Sequence, residues 1–167
     1  MALFYRSFYK MKYFLPEYYY VLNDPKSSNN EKHLVLEKIS KANYKYEEYL
    51  KKNSKCFPEK FLKHYIKERF HDYRISNINF DFGSTIVKDN FNIIIYLNNH
   101  DEHYSIIHKN VSNCNISIND YSRNFPCDYL YGEFYKDDKN LWHHNFLFTY
   151  FYEINITCQK IDFKHYT

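Results

Sequence analysis

Hydrophobic positions along the chain change their period once, and the change divides the sequence into a helical part and a strand part. Val35, Ile39, Ala42, Tyr46 and Tyr49 recur at steps of four and three, which predicts one long helix over residues 30–53. Ser28 or Asn29 suits its N-cap, Glu31 its first turn, and Lys51 to Lys55 its C-terminal end. Pro16 opens a shorter helix over 15–22, and Pro58 opens a third that carries Phe61/Leu62, Tyr65/Ile66 and Arg69/Phe70. The aromatic stretch 1–14 fits either a helical turn or a docked edge strand. After His71-Asp72 the period drops to two, with Ile78, Phe80 and Phe82 alternating.

From Tyr73 onward the pattern predicts strands near 73–82, 84–88, 91–98, 102–109, 112–118, 128–136, 141–157 and 158–166. Gly83 marks a bulge that can merge the first two. Asn- and Asp-rich breaks at 88–90, 98–101, 119–124 and 137–140 supply the turns. Residues 91–97 are apolar on both faces and read as a central strand. The alternation of Phe146, Phe148, Tyr150, Tyr152, Ile154 and Ile156 reads as one strand spanning the sheet. The expected fold is a single α+β domain over 1–167. Its N-terminal helices, within 1–72, pack on an antiparallel sheet of six or seven strands within 73–167.

Composition removes several functions. With only Gly83 and Gly132 as glycines, neither a phosphate-cradling loop, nor a dinucleotide fingerprint, nor a serine nucleophile elbow can be built. The abundance of Tyr, Phe, Ile and Asn follows A/T-rich codons, so 20 tyrosines alone do not signal a binding surface. Cys56, Cys114, Cys127 and Cys158 are scattered without a Cys-x-x-Cys pair, which signals neither zinc nor redox chemistry. No run approaches the roughly 18 apolar residues of a membrane span, so a soluble, cytoplasmic protein with reduced thiols and no cofactor is expected. The formal charge of +3 is uneven: residues 1–72 hold 15 Lys+Arg against 9 Asp+Glu, and the remainder 8 against 11. The helical layer is therefore basic and the sheet acidic.

Three short motifs carry a family resemblance. Met11-Lys12-Tyr13-Phe14 with Glu17-Tyr18-Tyr19, then Phe70-His71-Asp72-Tyr73-Arg74-Ile75, and finally Tyr129-Leu130-Tyr131-Gly132-Glu133-Phe134-Tyr135 resemble Firmicutes domain-of-unknown-function family 4085. The resemblance implies that residues 1–10 are an extension; it brings no activity and no catalytic residues. The His71-Asp72 step before a first strand also resembles one in small immunity proteins of bacterial toxin systems.

Candidate sites follow. Tyr129, Tyr131, Glu133 and Tyr135 alternate onto one strand face, either an ordinary sheet face or a recognition surface, since tyrosine gives large contact area at small entropic cost. His71 and Asp72 join them at the junction, where Asp72 is expected to accept the Arg74 N–H in an Asx-turn. Lys38, Lys41, Lys45 and Lys52 present phosphate-binding charge, with Tyr44 or Tyr46 for stacking. His100-Asp101-Glu102-His103 with His108 reads as a polar hairpin tip, because His103 and His108 point to opposite faces. His143 and His144 likewise face opposite ways. Asp137-Asp138 reads as a turn, and nothing near Cys127 activates a thiol. The leading expectation is a protein-binding module, most concretely an immunity-type inhibitor of a toxin partner. The alternatives are nucleic-acid binding through the basic helices and an unrecognised enzyme with a histidine-containing site.

Overall fold

A computed structural model describes residues 11–68, 70–71, 73–83, 91–99, 102–117, 128–149 and 153–166. Helices α1 (Pro16–Asn23), α2 (Asn29–Lys52) and α3 (Glu59–Glu68) precede six strands: β1 (Arg74–Asp81), β2 (Phe91–Asn99), β3 (Glu102–Ser117), β4 (Tyr129–Lys136), β5 (Trp142–Phe148) and β6 (Glu153–Tyr166). All pairings are antiparallel, in the order β1-β2-β3-β6-β5-β4. The fold is α+β, as expected. No helix among the described residues is long and apolar enough to cross a membrane.

Ser28 caps α2 in a reciprocal box: its hydroxyl accepts the Glu31 N–H while the Glu31 carboxylate accepts the Ser28 N–H. Phe70 ends the third helical stretch at φ 54°, a left-handed conformation uncommon for a bulky residue, and its carbonyl accepts the Tyr73 N–H at 3.1 Å. Its ring is wholly buried against Phe61, Tyr73, Tyr104, Tyr129 and Phe163, so packing holds the strained turn in place. Asp72, expected to make this turn, lies outside the described residues, as does the strand expected at 84–88.

Three strand expectations are corrected. The two strands expected at 102–109 and 112–118 are one strand, β3, through Ser117, because Asn110 takes φ 53° and the register shift between Val111 and Asn113 absorbs the break. Residues 141–157 form two strands, since the chain reverses between Phe148 and Glu153. Phe146 pairs with Ile154, so even-numbered residues meet even-numbered ones and the alternation runs through the reversal unmarked. Residues 91–97 lie in β2, next to the edge; the centre belongs to β3 and β6.

The sheet curls until its two outer strands meet at their first residues. Arg74 bridges Asp128, with Nε 2.9 Å from Oδ1, and the Tyr129 N–H donates to the Tyr73 carbonyl at 2.7 Å. Helix α3 lies on the concave side, where Phe61 meets Phe134 edge-on at 4.8 Å and Phe163 at 5.3 Å. The core there is largely aromatic: Phe61, Tyr65, Phe70, Tyr104, Phe134 and Phe146 are all buried.

Candidate functional site

Strand β4 pairs with β5 on one side only, so the alternate backbone groups on its other side need partners. Helical tyrosines supply them. The Tyr46 hydroxyl accepts the Phe134 N–H at 2.6 Å and donates to the Phe134 carbonyl at 3.2 Å. Tyr49 accepts the Lys136 N–H at 2.8 Å, and Tyr65 donates to the Gly132 carbonyl at 2.5 Å. Two helices thus dock on a strand edge through three hydroxyls.

Glu133, from the other face of β4, fixes the segment ahead of α1. Its buried carboxylate accepts the backbone N–H groups of Lys12, Tyr13 (2.7 Å) and Phe14 (3.4 Å), and the Asn145 amide at 3.4 Å. Burial pushes the Glu133 carboxyl above its ordinary value, outweighing these donors, which pull it down. The Lys12 ammonium lies over the rings of Tyr13, Tyr49 and Tyr135 at 5.3–5.6 Å.

The segment held in this way forms one wall of a cleft of about 280 Å³; α2 forms the other. Lys12, Tyr13, Leu15 and Tyr18 face Lys38, Lys41, Ala42 and Lys45 across it. At 100° per residue, Lys38, Lys41, Lys45 and Lys52 fall within about 60° of one another around the helix axis. Lys52 therefore continues the stripe beyond the cleft. Among the described residues no carboxylate lines the cleft, and Lys38, Lys41 and Lys45 are exposed and make no ion pair. The nearby Glu37 and Glu48 pair instead with His33 and Lys51. Like charges at these spacings cost a helix about 0.2–0.5 kcal/mol per pair, a cost that an anion in the cleft would reverse.

Of the residues singled out in the sequence, the structure therefore brings together Lys38, Lys41 and Lys45. Tyr44 is 68 % exposed, beside the stripe, whereas Tyr46 is wholly buried and serves β4 instead of a ligand. Tyr129, Tyr131, Glu133 and Tyr135 do not share one face. A register shift between Tyr129 and Tyr131 turns Tyr129 inward, onto Phe146 and His144. Glu133 is buried as well, leaving Tyr131 and Tyr135 half-buried. His71 is exposed, 6.4 Å from the Tyr131 ring, and its neighbour Asp72 is outside the described residues. So are His100, Asp101 and Cys127. His103 is exposed and His108 buried, on opposite faces of β3; Glu102 accepts the hydroxyls of Tyr73 (2.6 Å) and Tyr104 (2.8 Å).

Two polar lines depend on strand register and were not legible beforehand. Inside the core, His108 Nε2 lies 2.8 Å from His144 Nδ1, and His144 Nε2 lies 3.5 Å from the Tyr129 hydroxyl. His108 Nδ1 reaches the Ile93 carbonyl at 3.3 Å. Burial lowers His108 to about 4 and holds His144 well below its ordinary value, so both rings are neutral. On the other face, His143 Nε2 meets Asp137 Oδ2 at 3.0 Å and its Nδ1 meets the Thr157 hydroxyl at 3.2 Å. The His143 hydrogen bond is the chief cause that lowers Asp137. Among the described residues no group of three or more His, Cys, Asp or Glu side chains is placed to hold a metal ion.

No family model matches the chain, and no curated protein matches it. The likeness to family 4085 rests on the three short motifs alone.

Proposed function

We propose that the protein is a binding module for a single-stranded nucleic acid, gripped by its phosphates at the α2 cleft. The observation that carries this reading is that Lys38, Lys41 and Lys45 line one cleft with no carboxylate among its described lining residues. Lys52 extends the basic stripe, and the exposed Tyr44 ring beside it offers a stacking platform for a base. Electrostatic attraction of this kind supplies affinity without sequence preference. Fluorescence anisotropy of a labelled, unstructured oligonucleotide at low salt tests the reading. Binding should be saturable and should weaken sharply in Lys38→Gln/Lys41→Gln/Lys45→Gln; wild-type protein that leaves the label's anisotropy unchanged refutes it.

A protein-binding role, including an immunity-type one, draws support from a different surface. Phe80 on the outer strand β1 and Phe82 just beyond its end are 42 % and 66 % exposed and contact Phe91. Beyond the Arg74–Asp128 bridge, no described strand pairs with the outer edge of β1. An extended segment of a partner can add to such an edge and cover the rings. Phe82→Ser should then abolish capture of that partner while leaving oligonucleotide binding unchanged.

A further inference from the structure

We infer that the cleft receives the terminal phosphate of the strand, a phosphomonoester, while the stripe beyond it follows the strand's interior. This rests on the nucleic-acid reading. Within a strand each phosphodiester carries one negative charge. A phosphomonoester carries about −1.5 to −2 at neutral pH and offers three acceptor oxygens. Lys38, Lys41 and Lys45 offer three ammonium groups from α2, with Lys12 on the opposite wall, more than a single diester can neutralise and well matched to a monoester. Lys38 and Lys45 are about 10.5 Å apart along the helix axis with Lys41 between them, and all three line the same cleft.

The cavity itself argues the same way. At about 280 Å³ it lies just below the range of small-ligand pockets, which leaves room for a phosphate group between the two walls. The wall opposite α2 brings Tyr13 and Tyr18, which add aromatic surface without negative charge. The Tyr13 hydroxyl is pushed up to about 12, chiefly by burial, so it stays protonated beside an anion. Lys52 stands about 10.5 Å beyond Lys45, outside the cavity, where it meets interior phosphates. A division of labour follows: the cleft lysines read the end, and Lys52 reads the length.

The test compares one unstructured oligonucleotide in two forms, phosphorylated at an end or ending there in a hydroxyl, with each end tried in turn. The full chain should bind the phosphorylated form about tenfold more tightly, as expected when charged donors gain a charged acceptor. That gain should vanish in Lys41→Gln/Lys45→Gln. In Lys52→Gln both forms should weaken alike and the ratio should persist. Inorganic phosphate should compete against the phosphorylated form alone. Equal affinity for the two forms overturns the terminal-phosphate assignment while leaving nucleic-acid binding in place. A gain that survives Lys41→Gln/Lys45→Gln overturns the assignment to this cleft. If neither form binds at low salt, the underlying reading fails along with it.

Discussion

The Tyr46 hydroxyl stands where a neighbouring strand would stand for Phe134, accepting its N–H at 2.6 Å and donating to its carbonyl at 3.2 Å. A strand edge is thereby closed by a helix, and α2 gains a fixed position from which its lysines face the cleft. Tyr46→Phe keeps the ring and its contacts with Tyr13 and Tyr65 but leaves a buried N–H without an acceptor. The expected cost is about 1–3 kcal/mol. For a domain of this size that lowers the melting temperature by about 2–4 °C per kcal/mol, measurable by calorimetry.

Gly132 should tolerate no side chain. A Cβ at this position would stand 1.4 Å from the Tyr129 hydroxyl, and Tyr129 is wholly buried among Phe70, Phe146 and Phe148. Gly132→Ala must therefore expel the Tyr129 ring or part β4 from β5. Loss of cooperative thermal unfolding is the expected result, while Gly132→Ala/Tyr129→Leu, which removes the hydroxyl and ring atoms at 1.4, 2.3 and 2.9 Å from that Cβ, should recover part of it.

Glu133 links the sheet to the cleft wall. In Glu133→Gln one acceptor oxygen is replaced by an NH₂ group facing backbone N–H groups, which should cost about 1–3 kcal/mol. Hydrogen exchange should report the change at Lys12, Tyr13 and Phe14, whose amides should exchange faster than in the wild type.

Acid should destabilise the protein through His108 and His144. Both have folded pKa values below the ordinary 6.5, so the unfolded chain binds more protons than the folded one. Their contribution is fully present above about 6.5 and is lost as pH falls toward the folded value of about 4 for His108. The slope approaches about 1.4 kcal/mol per pH unit for each histidine. Glu133, raised by burial, has the opposite sign in part of this window. Chemical denaturation from pH 7 to pH 5 in the wild type and in His108→Gln/His144→Gln separates the two. The double variant should start less stable and lose much less on acidification.

The helices were legible because α2 and α3 each bury one stripe, and Ser28, Pro16 and Pro58 mark where helices begin. Strand boundaries were less so. The gap expected between strands at 110–111 only bends β3, where Asn110 takes a left-handed backbone, and the reversal after Phe148 leaves the alternation along the sequence intact. The lysine stripe was legible from helical spacing; its cleft was not, because the opposite wall is held by Glu133 across 119–121 residues of sequence. Tyr129 misled for a local reason, since a register shift of one residue moves a side chain to the other face.

Salt dependence tests the central claim, that the α2 lysines neutralise phosphates, most directly. For a single strand, the logarithm of affinity falls against the logarithm of salt concentration with a slope of about −0.7 per phosphate contacted. Two phosphates contacted, the terminal one at Lys38, Lys41 and Lys45 and an interior one at Lys52, predict a wild-type slope of about −1.4, falling toward about −0.7 in Lys41→Gln/Lys45→Gln. A wild-type slope near zero, or one that the double variant leaves unchanged, would contradict the account.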